Sequence, residues 1–223
     1  MVIDDLIGSQ NLVAPSTGAR PFLESNGGQW SGNFDGSNDA LASAGNCAFD
    51  PSLGVHFFVV VAYDSSARQD HIASLKSAVD SVSSALELFT LGSGSYTGLG
   101  GAVLFSNRGG TLSQVIQSTD VGAGVVGPGT GFIIEGAYLG GGNARIYHDF
   151  GEGTALQTSS TFTNAPSGPA PIVMGNATAG SKLRGVIAEM VICDGTLDAA
   201  GRTSILEYLN AKHSDFIGEV VDA

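Results

Sequence analysis

The chain predicts an all-β fold, a sandwich or barrel of short strands closed by one helix, and three features of its 223 residues carry that prediction. Glycine occurs 33 times while charged residues make up only 13%, a composition of strands separated by turns that need positive φ. From Gln29 onward, short apolar stretches are broken by glycine-rich turns. The stretch His56-Phe57-Phe58-Val59-Val60-Val61-Ala62 is apolar at successive positions, which predicts a central strand covered on both faces.

The elements follow in chain order. Residues 1–25 read as an arm, with Pro15, Pro21 and no sustained periodicity, that either packs along the main body or reaches a neighbour. The expected strands are Gly32–Phe34, Ala40–Ser43, His56–Tyr63, His71–Ser77, Ser84–Leu91, Ala102–Asn107, Leu112–Ser118, Gly131–Leu139, Asn143–Phe150, Ile172–Gly175 and Leu183–Cys193. Gly92–Gly101, Gly122–Gly131 and Gly140–Gly142 read as loops or turns. Near the end one helix is expected, capped by Asp198, with a narrow stripe of Ile205 and Leu209, and of Ala200 and Ser204, for docking on a sheet edge or end. Gly201 weakens it, so it depends on packing. One domain over 26–217, followed by a tail at 218–223, accommodates these elements, and no internal repeat suggests a solenoid or propeller.

Charge narrows the partners. Nine Lys and Arg stand against 21 Asp and Glu, a formal charge of −12 that repels phosphate backbones and anionic membrane surfaces, so neither nucleic acid nor membrane insertion is expected. The opening Met1-Val2-Ile3-Asp4-Asp5-Leu6-Ile7 places acids where a secretory signal needs Lys or Arg, and the expectation is a chain without an export signal. Cys47 and Cys193 are too few for a disulfide framework and read as buried apolar thiols, with pairing left open.

Three separated segments carry a family resemblance. Ala19-Arg20-Pro21 leads to Phe34-Asp35-Gly36-Ser37-Asn38-Asp39-Ala40-Leu41; Ala144-Arg145-Ile146-Tyr147-His148-Asp149-Phe150-Gly151 reads as a hairpin strand; and Arg184-Gly185-Val186-Ile187-Ala188-Glu189-Met190-Val191-Ile192 is followed by Leu197 and the helix to Leu209. Over about residues 19–213 the chain resembles the laminin G-like branch of the concanavalin A-like lectin and glucanase superfamily. It departs from that family's hairpin motif at His148, where an aliphatic residue is usual, and by Phe150, inserted before the glycine. The resemblance implies a two-sheet antiparallel jelly-roll sandwich, about six or seven strands per sheet, with first and last strands adjacent. Pairing the chain ends and covering an opening with the helix would also protect exposed edges. Phe34 and Leu41 then become core. Asp35 becomes turn chemistry, its carboxylate accepting from the backbone two residues on.

Catalytic signals are weak. The glycoside hydrolases of the superfamily align two or three acids on one strand, and hydrolysis needs two carboxyls about 5–9.5 Å apart. No Glu-x-Asp-x-Glu occurs, and Glu87, Glu135 and Asp149 fall on different strands, which reads as a solvated sheet face. There is no Gly-x-Ser-x-Gly elbow, Cys193 has no His close in sequence, and His56, His71, His148 and His213 lack zinc-ligand spacing. No cofactor motif is found: the 122–131 segment lacks a following Lys-Ser or Lys-Thr. Laminin G-like domains often bind calcium, but no loop of alternating acids occurs and no metal is expected. The expectation is a protein with no catalytic residues.

A binding face is more promising. Alternation on Asn143–Phe150 places Ala144, Ile146, His148 and Phe150 toward the core and Arg145, Tyr147 and Asp149 on the outer surface, near Glu135, which alternates with Phe132 and Ile134. An aromatic ring beside charged groups suits a sugar, so Glu135, Arg145, Tyr147 and Asp149 are the candidate ligand-binding residues. The opening and closing segments look like those of laminin G-like domains in tailed-bacteriophage structural proteins. That resemblance implies a non-enzymatic virion protein, either a capsid decoration or a tail or fibre subunit. It would be made in the host cytoplasm and exposed on the particle. Its partners would be other virion proteins and further copies of itself, with host surface glycan as its adhesive target. A carbohydrate-active enzyme and a free lectin are the alternatives.

Overall fold

The computed structural model describes residues 2–3, 11–26, 29–63, 70–75, 85–91, 102–109, 111–117, 131–149, 156–161, 169–175 and 182–217. In chain order the strands are β1 (Val2–Ile3), β2 (Leu12–Val13), β3 (Phe22–Asn26), β4 (Gln29–Asp35), β5 (Leu41–Asn46), β6 (Val55–Tyr63), β7 (Asp70–Leu75), β8 (Ala85–Leu91), β9 (Ala102–Gly109), β10 (Thr111–Gln117), β11 (Phe132–Tyr138), β12 (Asn143–Asp149), β13 (Leu156–Thr161), β14 (Pro171–Met174) and β15 (Arg184–Asp194). Helix α1 spans Ala199–Lys212. The strands form two antiparallel sheets, β1-β2-β5-β14-β7-β8-β9-β10 and β13-β12-β11-β6-β15-β4-β3. The expected sandwich is therefore present, with eight and seven strands among the described residues.

The segments around Phe34 and Arg184 meet as expected, but they are not the first and last strands, since β1 and β2 lie in the other sheet. Arg184 and Gly185 of β15 pair with Asp35 and Phe34 of β4, and the rest of β15 runs along β6. Strand β6 is the central strand expected: it pairs with β11 on one side and β15 on the other, and its described side chains are fully buried. Its alternate residues serve two cores. Phe57, Val59 and Val61 join Phe34, Leu41 and Ile134 between the sheets. Phe58, Val60 and Ala62 face away and pack with Ile133, Tyr147 and the helix residues Leu206 and Leu209.

The helix thus docks on the face of the seven-stranded sheet, not on an edge or end. Its stripe also differs from the expected one. Ala200 and Ser204 are exposed and Ile205 is half-buried, whereas Arg202, Leu206, Leu209 and His213, at helical spacing, turn toward the sheet. The physical reason is the sheet's own mixed surface, which meets the helix with apolar groups in the middle and a carboxylate near each end. Asp198 caps α1 as expected, accepting from the Gly201 N–H at 2.7 Å.

The stretch read as an arm packs along the sandwich. Leu12–Val13 pairs with β5, Leu12 is in the inter-sheet core, and Phe22–Asn26 adds an edge strand beside β4. The Asp35 turn forms as expected: its carboxylate accepts from the Ser37 N–H at 2.7 Å, and Gly36 takes φ 74°. Gly175, at φ 82°, lies against Phe34, where a Cβ would come within 2.3 Å of the ring. Phe150, the loops read at 92–101 and 122–130, and the 218–223 tail lie outside the described residues.

Candidate functional site

Glu135, Arg145 and Tyr147 stand on the strand faces expected of them, but that outer face lies beneath α1. Glu135 stands on β11 and is fully buried. Its Oε1 accepts from His56 Nδ1 at 2.7 Å and from Arg145 at 3.1 Å, and its Oε2 accepts from Arg202 Nε at 2.5 Å. Arg145 comes from β12, directly beyond β11, and Arg202 comes from the first turns of α1. The Arg202 guanidinium also lies 4.2 Å from the centroid of the Tyr147 ring.

Glu135, Arg145 and Tyr147 are therefore brought together, yet not as the open platform expected for a sugar. Tyr147 is only 7% exposed, because the helix lies across it. Asp149 closes β12 opposite Ile133, and its side chain lies outside the described residues. The solvated acidic face expected of Glu87 and Glu135 is likewise absent, since both are buried.

Electrostatics explain how a carboxylate survives there. Burial would raise the Glu135 carboxyl, but the hydrogen bond from His56 and the charges of Arg202 and Arg145 outweigh it and hold the group below the usual carboxylate range. His56 is fixed too. Its Nε2 accepts from the Leu197 N–H at 3.2 Å while its Nδ1 donates to Glu135, so the ring is the neutral Nδ1–H tautomer.

Sequence reasoning found no histidine near Cys193, but the β6–β15 register sets Cys193 directly opposite His56. A Cys, His, Glu grouping is thereby assembled from three strands. Its chemistry is not that of an activated nucleophile. Both ring nitrogens of His56 are committed elsewhere, and burial, together with Asp194 and Glu135, pushes the Cys193 thiol up. Cys193 is half-buried, whereas Cys47 is buried as expected, and both are free thiols.

A second carboxylate holds the far end of α1. Glu189 on β15 accepts from His213 Nε2 at 2.6 Å, Lys212 at 3.0 Å and Tyr208 at 2.9 Å. Burial opposes its charge, but the hydrogen bonds from His213, Lys212 and Tyr208 bring its pKa to about 2. Sequence reasoning named neither Glu189 as a ligand nor His213 as its partner. The helical spacing from Arg202 to His213 was the available signal.

Exposed apolar surface gathers instead on the β3–β4 edge hairpin. Phe22, Leu23 and Trp30 are 72%, 55% and 66% exposed. Leu23 stands opposite Gly32 and Ser25 opposite Trp30, so Leu23 and Trp30 are diagonal neighbours on the face that is core at Phe34. Among the described residues no group of three or more His, Cys, Asp or Glu could hold a metal, and no helix is long and apolar enough to cross a membrane.

No family model matches the chain, and no curated protein matches it. Solved structures do. The binding domain of botulinum neurotoxin serotype G superposes at TM-score 0.63 and 14% identity, over 95% of this chain and 49% of its own. Full-length tailspike protein 2 from Escherichia coli O157:H7 bacteriophage CAB120 gives TM-score 0.60 at 15% identity, over 94% of this chain and 28% of that one. Domains LG4-5 of the mouse laminin alpha1 chain give 0.50 at 14%, over 77% and 44%. The chain thus spans half or less of each of these proteins, and what it shares with them is architecture. Two antiparallel sheets, the pairing of β15 with β4 and these neighbours show a jelly-roll sandwich fold like that of laminin G domains.

Proposed function

We propose that this chain is a phage virion structural protein, a capsid decoration or a tail or fibre subunit, that adheres to a surface glycan and carries out no catalysis. The observation that carries this reading is the exposed edge hairpin, where Leu23 and Trp30 on one face and Phe22 on the other present apolar surface beside the outer edge of β3, which pairs with no further strand among the described residues. Exposed apolar clusters mark interaction sites, and an open strand edge suits assembly with neighbouring subunits or further copies of the chain. The architecture shared with a phage tailspike supports the same setting. A non-catalytic role is supported by Glu135 and Glu189, whose carboxylates are engaged in holding α1 on the sheet.

The test has two arms. Mass spectrometry and immunogold imaging of purified particles should find the chain on the virion surface. A glycan array should show binding, with no reducing sugar released from the bound polysaccharide. Release of reducing ends, or absence from particles, overturns the reading.

A further inference from the structure

Beside the hairpin, β4, β15, the end of α1 and the turn after it form a partly open cavity of about 190 Å³. Gln29 and Ser31 line it from β4, Ala188 from β15, and His213, Asp215 and Phe216 from the turn. This volume is below the ~300–1,000 Å³ of pockets for drug-sized ligands, and fits a single ring.

The polar groups are already oriented. His213 is 3% exposed and its ring is pinned through Nε2 to Glu189. With Nε2 engaged by that carboxylate, Nδ1 is the ring's remaining hydrogen-bonding atom. Ser31, a residue 6% exposed, adds a hydroxyl. Asp215 adds an acceptor and Gln29 an amide, while Ala188 and Phe216 supply apolar wall. Lys212 also lines the cavity, but its ammonium is already engaged with Glu189 and Tyr208, and the chain carries −12 overall, which disfavours an anionic ligand. Acceptors, a hydroxyl and an aromatic ring without a free positive charge match a neutral polyol.

We propose that this cavity is a saccharide subsite taking one neutral hexose unit, with sugar hydroxyls bonded to His213 and Ser31 and the C–H face of the ring against the apolar wall. The inference rests on the glycan-adhesion reading above and names where that adhesion is centred. In the β3–β4 register Phe22, opposite Asn33, is a diagonal neighbour of Ser31 on the same face, which gives a longer chain of sugars a direction in which to extend.

The test titrates the full chain with the methyl glycosides of glucose, galactose and mannose, followed by backbone amide NMR shifts into the tens of millimolar. One of the three should shift residues 29–31, 188 and 211–216. Ser31→Ala should weaken that binding about tenfold, one good hydrogen bond. Ala188→Leu, which fills the cavity, should abolish it while the remaining spectrum stays dispersed. Shifts clustering elsewhere, or both variants binding as the parent does, overturn the subsite. Retained binding of both variants on the glycan array overturns the subsite but leaves adhesion standing, whereas no binding to any glycan overturns both.

Discussion

Replacing Glu135 by Gln preserves shape and removes one charge, so it isolates what the buried carboxylate contributes. The side chain is fully buried, and its partners Arg145 and Arg202 are only 17% and 16% exposed. The variant leaves two nearly buried guanidinium groups without a counter-charge and turns an amide N–H₂ toward donors. Removing one partner of a buried ion pair costs about 3–5 kcal/mol, a large share of the ~5–15 kcal/mol of a typical domain. For a chain of this length that corresponds to a fall in Tm of about 6–20 °C. The assay is thermal and urea unfolding by circular dichroism, with hydrogen exchange on the α1 amides, which should lose protection before the inter-sheet strands. A second variant, Glu135→Leu with Arg145→Met and Arg202→Met, removes all three charges and should recover most of the loss, because the desolvation cost disappears with the charges. A loss under about 1 kcal/mol for Glu135→Gln would refute the claim that this carboxylate clamps the helix.

The remaining predictions test the same architecture elsewhere. Leu209→Ala empties a fully buried position between α1 and the sheet and should cost about 2–5 kcal/mol in urea unfolding. The Glu189 carboxyl falls from 4.5 to about 2 in the folded state, so its contribution, at most about 3 kcal/mol, is complete above pH 4.5 and disappears as pH falls through 2. In Glu189→Gln the acid limb of a stability-against-pH curve should flatten over that window. Trp30→Ser, at a side chain 66% exposed, should change stability by no more than about 0.5 kcal/mol while reducing incorporation into particles, measured by quantitative mass spectrometry of purified virions.

The legible part of this fold was the part encoded over short stretches. The apolar run at 56–62, the Asp35 turn and the Asp198 cap each depend on neighbours within a few residues, and each forms as expected. The alternation that set Ile146 inward and Arg145 and Tyr147 on the other face is equally local, and the structure preserves it. It could not say what covers that other face. The edge strand Phe22–Asn26 escaped notice for a related reason: its apolar residues lie exposed, so burial leaves no two-residue rhythm to read.

By itself, then, the sequence determined most of the strands, though not β1, β2, β3 or β13, which of their faces are apolar, and that the segments around Phe34 and Arg184 pair. Only the tertiary structure decided that α1 lies across the seven-stranded sheet, which converts a presumed binding face into a buried ionic clamp. Glu135 lies 79 residues from His56 and 67 from Arg202, and sequence periodicity carries no information across such separations. Sheet order and helix docking bring these groups within hydrogen-bonding distance, and exclusion of water by the helix makes their charges decisive for stability.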